Sequence, residues 1–162
     1  MAEYKGVQLK AIKEWGEHDL AGFTANIYLN NMKIGAVVDK GFGGPLHVYL
    51  EKQKDTFLKI ASTYKDEDGI YANDEALLHR LRVLSGIEKD FKKANKKGYS
   101  FITTVDYFPR DENGKITYGK PIREPAEETY FFNNDQQLQQ MLNVKKPSKY
   151  EVFRTLDDFV IN

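Results

Sequence analysis

The sequence predicts one α+β domain spanning residues 1–162, a predominantly antiparallel sheet packed against two or three helices. The sheet is expected from an N-terminal meander plus a C-terminal hairpin. Three observations carry that prediction. Apolar and polar residues alternate through the first and last thirds, the signature of half-buried strands. An apolar stripe at spacings of three and four fills the middle, as an amphipathic helix requires. An Asn-Gly pair punctuates the last third, where it favours a hairpin turn.

Taken in order, Val7, Leu9 and Ala11 mark an opening strand that ends near Trp15. Phe23, Ala25, Ile27 and Leu29 then alternate with Thr24, Asn26 and Tyr28. Asn30-Asn31 supplies a turn, because asparagine tolerates positive φ. Ile34, Ala36 and Val38 resume the alternation, and Leu46, Val48 and Leu50 repeat it. Phe57, Ala61 and Tyr64 share one face of a helix running from about Lys52 to Tyr64. Leu77, Leu81, Leu84, Ile87, Phe91 and Ala94 form the long stripe, with Gly98 as its stop. Ser85 followed by Glu88 reads as a capping box, so a kink or a junction of two helices is expected there.

Tyr99, Phe101, Thr103, Val105 and Tyr107 return to strand alternation. The Asn113-Gly114 turn should lead back through Ile116 and Tyr118. Thr129 to Phe132 is a short strand, and Asn134 caps a brief helix carrying Leu138, Met141 and Leu142. Tyr150, Val152 and Arg154 close the sheet, and Phe159 to Ile161 are apolar enough to dock. No internal repeat, low-complexity tract or long linker divides the chain.

Composition narrows function. Lysine and arginine number 24, as do aspartate and glutamate, so the formal charge is zero. That balance argues against a nucleic-acid coat and against a polyanionic DNA mimic, and nucleic acid is not an expected partner. There are no cysteines, which removes disulfides, thiolate metal sites and cysteine nucleophiles, and fits a reducing cytoplasm. The opening Met1-Ala2-Glu3-Tyr4-Lys5 lacks the pattern of a signal peptide, and no apolar run is long enough for a bilayer. A cytoplasmic protein without membrane contact is expected.

Several patterns are candidates for chemistry. Lys40, Gly41, Gly43 and Gly44 lie in a glycine-rich loop between two expected strands. Its amides, with Lys40, would cradle a phosphate or carboxylate. The loop lacks the Gly-Lys-Ser/Thr and following helix of a Walker motif, and a tight connection whose glycines serve geometry alone is the plainer reading. Asp66, Asp68, Gly69 and Glu75 match four positions of a calcium loop, but Tyr64 stands where the first carboxylate belongs. Lys92, Lys93, Lys96 and Lys97 crowd two adjacent helical turns, more densely than dipole compensation requires. With His79 they would offer a basic surface to a phosphate-bearing partner.

His18, His47 and His79 have no metal-ligand spacing, and no metal or cofactor is expected. Asp39 and Asp106, near expected strand ends, are a conceivable catalytic pair. Such aspartates are common, and no catalytic residue is assigned. Tyr28, Tyr49 and Tyr107 are expected to face outward from the sheet as a contact surface.

One stretch goes further than pattern. Phe23-Thr24-Ala25-Asn26-Ile27-Tyr28-Leu29-Asn30, then Lys33-Ile34-Gly35, then Asp39-Lys40-Gly41-Phe42-Gly43-Gly44 resembles the opening of small phage-encoded accessory proteins of unknown function. The resemblance spans roughly residues 5 to 50. It implies a protein that binds host factors, blocking defence enzymes or sequestering their nucleotide signals, in the host cytoplasm. The leading expectation is a non-enzymatic binding protein that occupies a host protein. A binder of a nucleotide or other small anion is the alternative, and a metal-dependent nuclease or phosphodiesterase the second alternative. Self-association stays open.

Overall fold

Alternation in the N-terminal third folds into a six-stranded sheet. In the computed structural model, which describes residues 1–17, 20–67 and 73–162, its strands are β1 (Glu3–Tyr4), β2 (Val7–Trp15), β3 (Gly22–Leu29), β4 (Met32–Asp39), β5 (His47–Leu50) and β9 (Val160–Ile161). They lie in the order β5-β4-β3-β2-β1-β9, antiparallel throughout except for the parallel pairing of β1 with β9. The turn between β3 and β4 is the two-residue Asn30-Asn31, both at positive φ (49° and 66°), as a hairpin of this twist demands.

Two bulges change which side chains face inward. Ala11, at φ 53°, is the extra residue where pairing shifts between Lys10 and Lys13, so it leaves the inward phase expected of it and is exposed. In β4, Ile27 pairs with Gly35 and Tyr28 with Lys33, which leaves Ile34 as an extra, buried residue. Val37 is therefore the next inward residue, while Ala36 and Val38 point to the opposite face from Ile34. The expected in-phase set Ile34, Ala36, Val38 is corrected accordingly.

The helices are α1 (Lys54–Ala61), α2 (Asn73–Lys96) and α3 (Asp135–Lys145). Leu77, Leu78, Leu81 and Leu84 are essentially inaccessible to solvent, and Phe91 and Ala94 continue the stripe. Each such burial contributes on the order of 1.5–3 kcal/mol for the large residues. The expected break at Ser85 does not occur. Its hydroxyl donates to the Leu81 carbonyl 2.7 Å away, one turn back, so it is satisfied inside a continuous helix rather than capping a new one. Gly98, at φ 92°, closes the helix as expected.

A second, three-stranded sheet is formed by β6 (Phe101–Asp106), β7 (Glu127–Phe132) and β8 (Lys149–Phe153), in the antiparallel order β7-β6-β8. Phe101, Val105, Tyr107 and Phe132 share a core with Leu138 and Met141 of α3. The Asn134 side chain accepts from the Gln137 N–H at 3.0 Å and caps that helix, as its sequence position predicted. The Asn113-Gly114 turn forms, with Asp111 accepting from the Asn113 and Lys115 amides at 2.8 and 3.0 Å. Its return is only one bridge, between Arg110 and Ile116. Pro109 has no N–H with which to extend a ladder, and the β6 partner comes instead from β7 beyond residue 126.

The chain divides into two compact units, Met1–Gly86 with Phe159–Asn162, and Ile87–Asp158, so that the boundary falls within α2. The architecture is α+β with mostly antiparallel sheets. Among the described residues no helix is long and apolar enough to cross a membrane.

Candidate functional site

The glycine-rich loop leaves β4 at Asp39. Gly41 is buried at φ 82°, and its N–H donates to the Asp39 carboxylate at 2.9 Å. A Cβ added there would stand 2.5 Å from the Leu20 carbonyl oxygen, so glycine is required by conformation and by close approach together. Gly43 and Gly44 are exposed, with open space around them, and Lys40 is exposed as well. The Gly41 amide thus serves the carboxylate of Asp39 at the loop's own start.

What the loop does present is apolar. Phe42 is 80% exposed and Leu20 is 64% exposed, on backbone segments that touch at Gly41. Below them on the inward side, the His79 ring meets Phe23 edge-on at 6.0 Å, and the Arg82 guanidinium lies 5.2 Å over the same ring. Arg82 also pairs with Glu14 at 3.0 Å. Burial, and then the charge of Arg82, hold His79 below the ordinary imidazole range, against opposing pulls from Asp39 and Asp66. Among the described residues no group of three potential ligands is placed to hold a metal ion.

The outward face of the same sheet follows from its register, since directly paired residues share a face. One row runs Lys10, Asn26, Ala36, Tyr49, and the next Lys13, Thr24, Val38, His47. Tyr28 pairs with Gln8 and Lys33, and the Lys10 ammonium sits 4.4 Å from the Tyr28 ring centroid. At the end of β2 and β3, Trp15 pairs with Gly22, where an added Cβ would meet the indole at 2.8 Å. The β2 bulge is what brings Lys13 to this face and turns Glu14 toward Arg82 on the other. Between β2 and β5 the outward positions hold three lysines and no carboxylate.

Other expected residues are placed differently. Lys92 donates to the buried Glu88 at 2.6 Å, while Lys93, Lys96 and Lys97 are exposed near the end of α2. Tyr107 does not face outward. It is 7% exposed, because it continues the inward phase of Phe101 and Val105, and its hydroxyl donates to Glu128 at 3.1 Å. The Arg123 guanidinium covers its ring at 4.4 Å. Tyr130 donates to the same carboxylate oxygen, and that bond above all holds Glu128 below the usual carboxylate range. Asp39 and Asp106 are not joined as a pair: Asp39 accepts from Gly41, and Asp106 pairs with Arg110 at 3.1 Å. His18 and the Asp68-Gly69 centre of the calcium pattern lie outside the described residues.

Sequence reasoning missed Trp15, Leu20, Phe42 and the three outward lysines. Their signal is positional: each becomes significant only once the bulges and turn contacts assign its face. No protein-family model, curated protein or solved structure matches this chain.

Proposed function

We propose that this chain is a non-enzymatic binding protein that occupies the surface of a partner protein. The observation that supports this most is the exposed pair Leu20 and Phe42, carried on backbone braced at Gly41. Isolated exposed apolar residues are ordinary, but two on backbone segments that meet, as Leu20 and Phe42 are at Gly41, suit burial in a partner's pocket. A braced loop also loses little entropy on binding. The resemblance to phage accessory proteins adds the kind of partner: a host protein, with inhibition of a defence enzyme in the host cytoplasm as the activity.

Binding of a nucleotide or other anion by Lys40, Gly41, Gly43 and Gly44 is weakened as a reading by the carboxylate that the Gly41 amide already serves. The test is affinity capture from bacterial lysate with wild type and a Leu20→Ser/Phe42→Ser variant of unchanged melting temperature. One protein retained by wild type and lost by the variant supports the proposal. Identical capture by both overturns it.

A further inference from the structure

The total charge of the chain is zero, but its charges are sorted by face. On the outward face of the six-stranded sheet, Lys10, Lys13 and Lys33 stand among Tyr28, Tyr49 and Trp15, with no acidic residue at the outward positions of β2 to β5; from the neighbouring β1 the Glu3 carboxylate reaches this face and accepts from the Gln8 side-chain amide at 2.6 Å. Tyr49 is 57% and Trp15 43% exposed, and Ala36 and Val38 between them are only half-buried. The aromatics alone would serve a protein partner as well; the lysines set among them favour a polyanion. A polyanion carrying flat rings finds both things it needs, cations for its phosphates and π-faces for its bases.

We propose that this face binds single-stranded nucleic acid, with bases stacked on Tyr28, Tyr49 and Trp15 and phosphates held by Lys10, Lys13 and Lys33. Strand geometry decides between a strand and a mononucleotide. Tyr28 and Tyr49 lie two strands, about 9.6 Å, and two residues, about 6.8 Å, apart. That separation is too wide to clamp one ring, so each serves a different base of one chain. A duplex hides its base faces in the stack and offers this surface only phosphates. Lys10 caps Tyr28 in the free protein; on binding, a base takes the ring and the flexible lysine moves to a phosphate.

The charge complementarity fixes a salt dependence. Three phosphate contacts give a slope of about −2 for log affinity against log salt, at roughly −0.7 each for single strands. Trp15 is the chain's single tryptophan, so its fluorescence reports stacking without a label.

The experiment titrates the protein with oligo-dT and oligo-rU of about twelve nucleotides, within the site sizes typical of such surfaces. Indole quenching and anisotropy of a labelled strand are read together. Quenching with that salt slope is expected, and Tyr49→Ala should weaken binding about tenfold or more at unchanged melting temperature. Lys33→Ala should weaken it and lower the slope by about 0.7. Leu20→Ser/Phe42→Ser should leave it unchanged, which separates this inference from the protein-binding proposal. Absence of quenching by either oligonucleotide would overturn the proposal. So would a duplex of equal length binding as tightly, or polyglutamate competing as effectively, the latter pointing to an acidic protein instead.

Discussion

The two sheets use their faces differently. In the six-stranded sheet, β3 buries Phe23, Ala25, Ile27 and Leu29 on one side and leaves Thr24, Asn26 and Tyr28 half-buried on the other. In the three-stranded sheet, β6 buries Phe101, Thr103 and Val105 on the α3 side, and Ile102 on the opposite side is equally inaccessible. Phe153, paired with Ile102, is buried there as well. The central strand β6 is thus buried on both sides, while its neighbours leave Phe131 and Tyr150 exposed; a strand closed on both sides is a structural element, and one with an open, chemically patterned side is available for recognition. Both proposals above accordingly concern the first sheet and the loop that leaves it.

The largest expected effects test the buried side of that contrast. Leu81→Ala in α2 and Ile102→Ala in β6 should each cost roughly 2–5 kcal/mol in chemical denaturation, whereas Lys93→Ala should change stability by less than about 0.5 kcal/mol. An Ile102→Ala variant as stable as wild type would mean that the second side of β6 is open after all.

A subtler variant sharpens the comparison. Thr103 is fully buried, and among the described residues its hydroxyl oxygen has no hydrogen-bond partner. Replacing it by the isosteric valine removes an unsatisfied polar group, so Thr103→Val should stabilise the protein by about 1 kcal/mol. A loss of stability would show that the hydroxyl is bonded in solution.

Turn and cap chemistry made much of this fold legible in advance. Asn30-Asn31 and Asn134 act through their own backbone preferences and side-chain reach, which are local properties. The long stripe from Leu77 to Ala94 was equally readable, because helical spacing needs no partner to be recognised. The bulges at Ala11 and Ile34 were not, since each depends on the pairing strand. They reverse the phase of the residues after them, and so decide that Lys13 faces outward and that Val37, not Val38, enters the core. Tyr107 is buried against expectation for a similar reason: an aromatic at a strand end reads alike whether it caps the core or leaves it. Nor does a net charge of zero show that β2 to β5 carry three lysines and no carboxylate on one face.

Acidity probes the inward side of the first sheet. Folded His79 takes up a proton less readily than an unfolded histidine, chiefly because it is buried. As pH falls below about 6.5, the unfolded state protonates first. Stability should therefore be full above that pH, decline through the window down to the lowered folded value, and level off below it. His79→Gln should remove this component of the profile in melts from pH 8 to about 5. An unchanged profile would assign the acid sensitivity to other groups.

The outward side of β4 is open while the α3 side of β6 is closed, and an isosteric pair of substitutions measures this directly. Val38 lies on the outward face of β4 and Val105 in the core beside α3. Threonine replaces valine with almost no change in shape, so the cost reads the burial of a hydroxyl. In urea denaturation, Val105→Thr should cost about 1–3 kcal/mol, and Val38→Thr should fall within about 0.5 kcal/mol of wild type. A Val38→Thr penalty as large as that of Val105→Thr would contradict the open face, because the outward side of β4 would then be core.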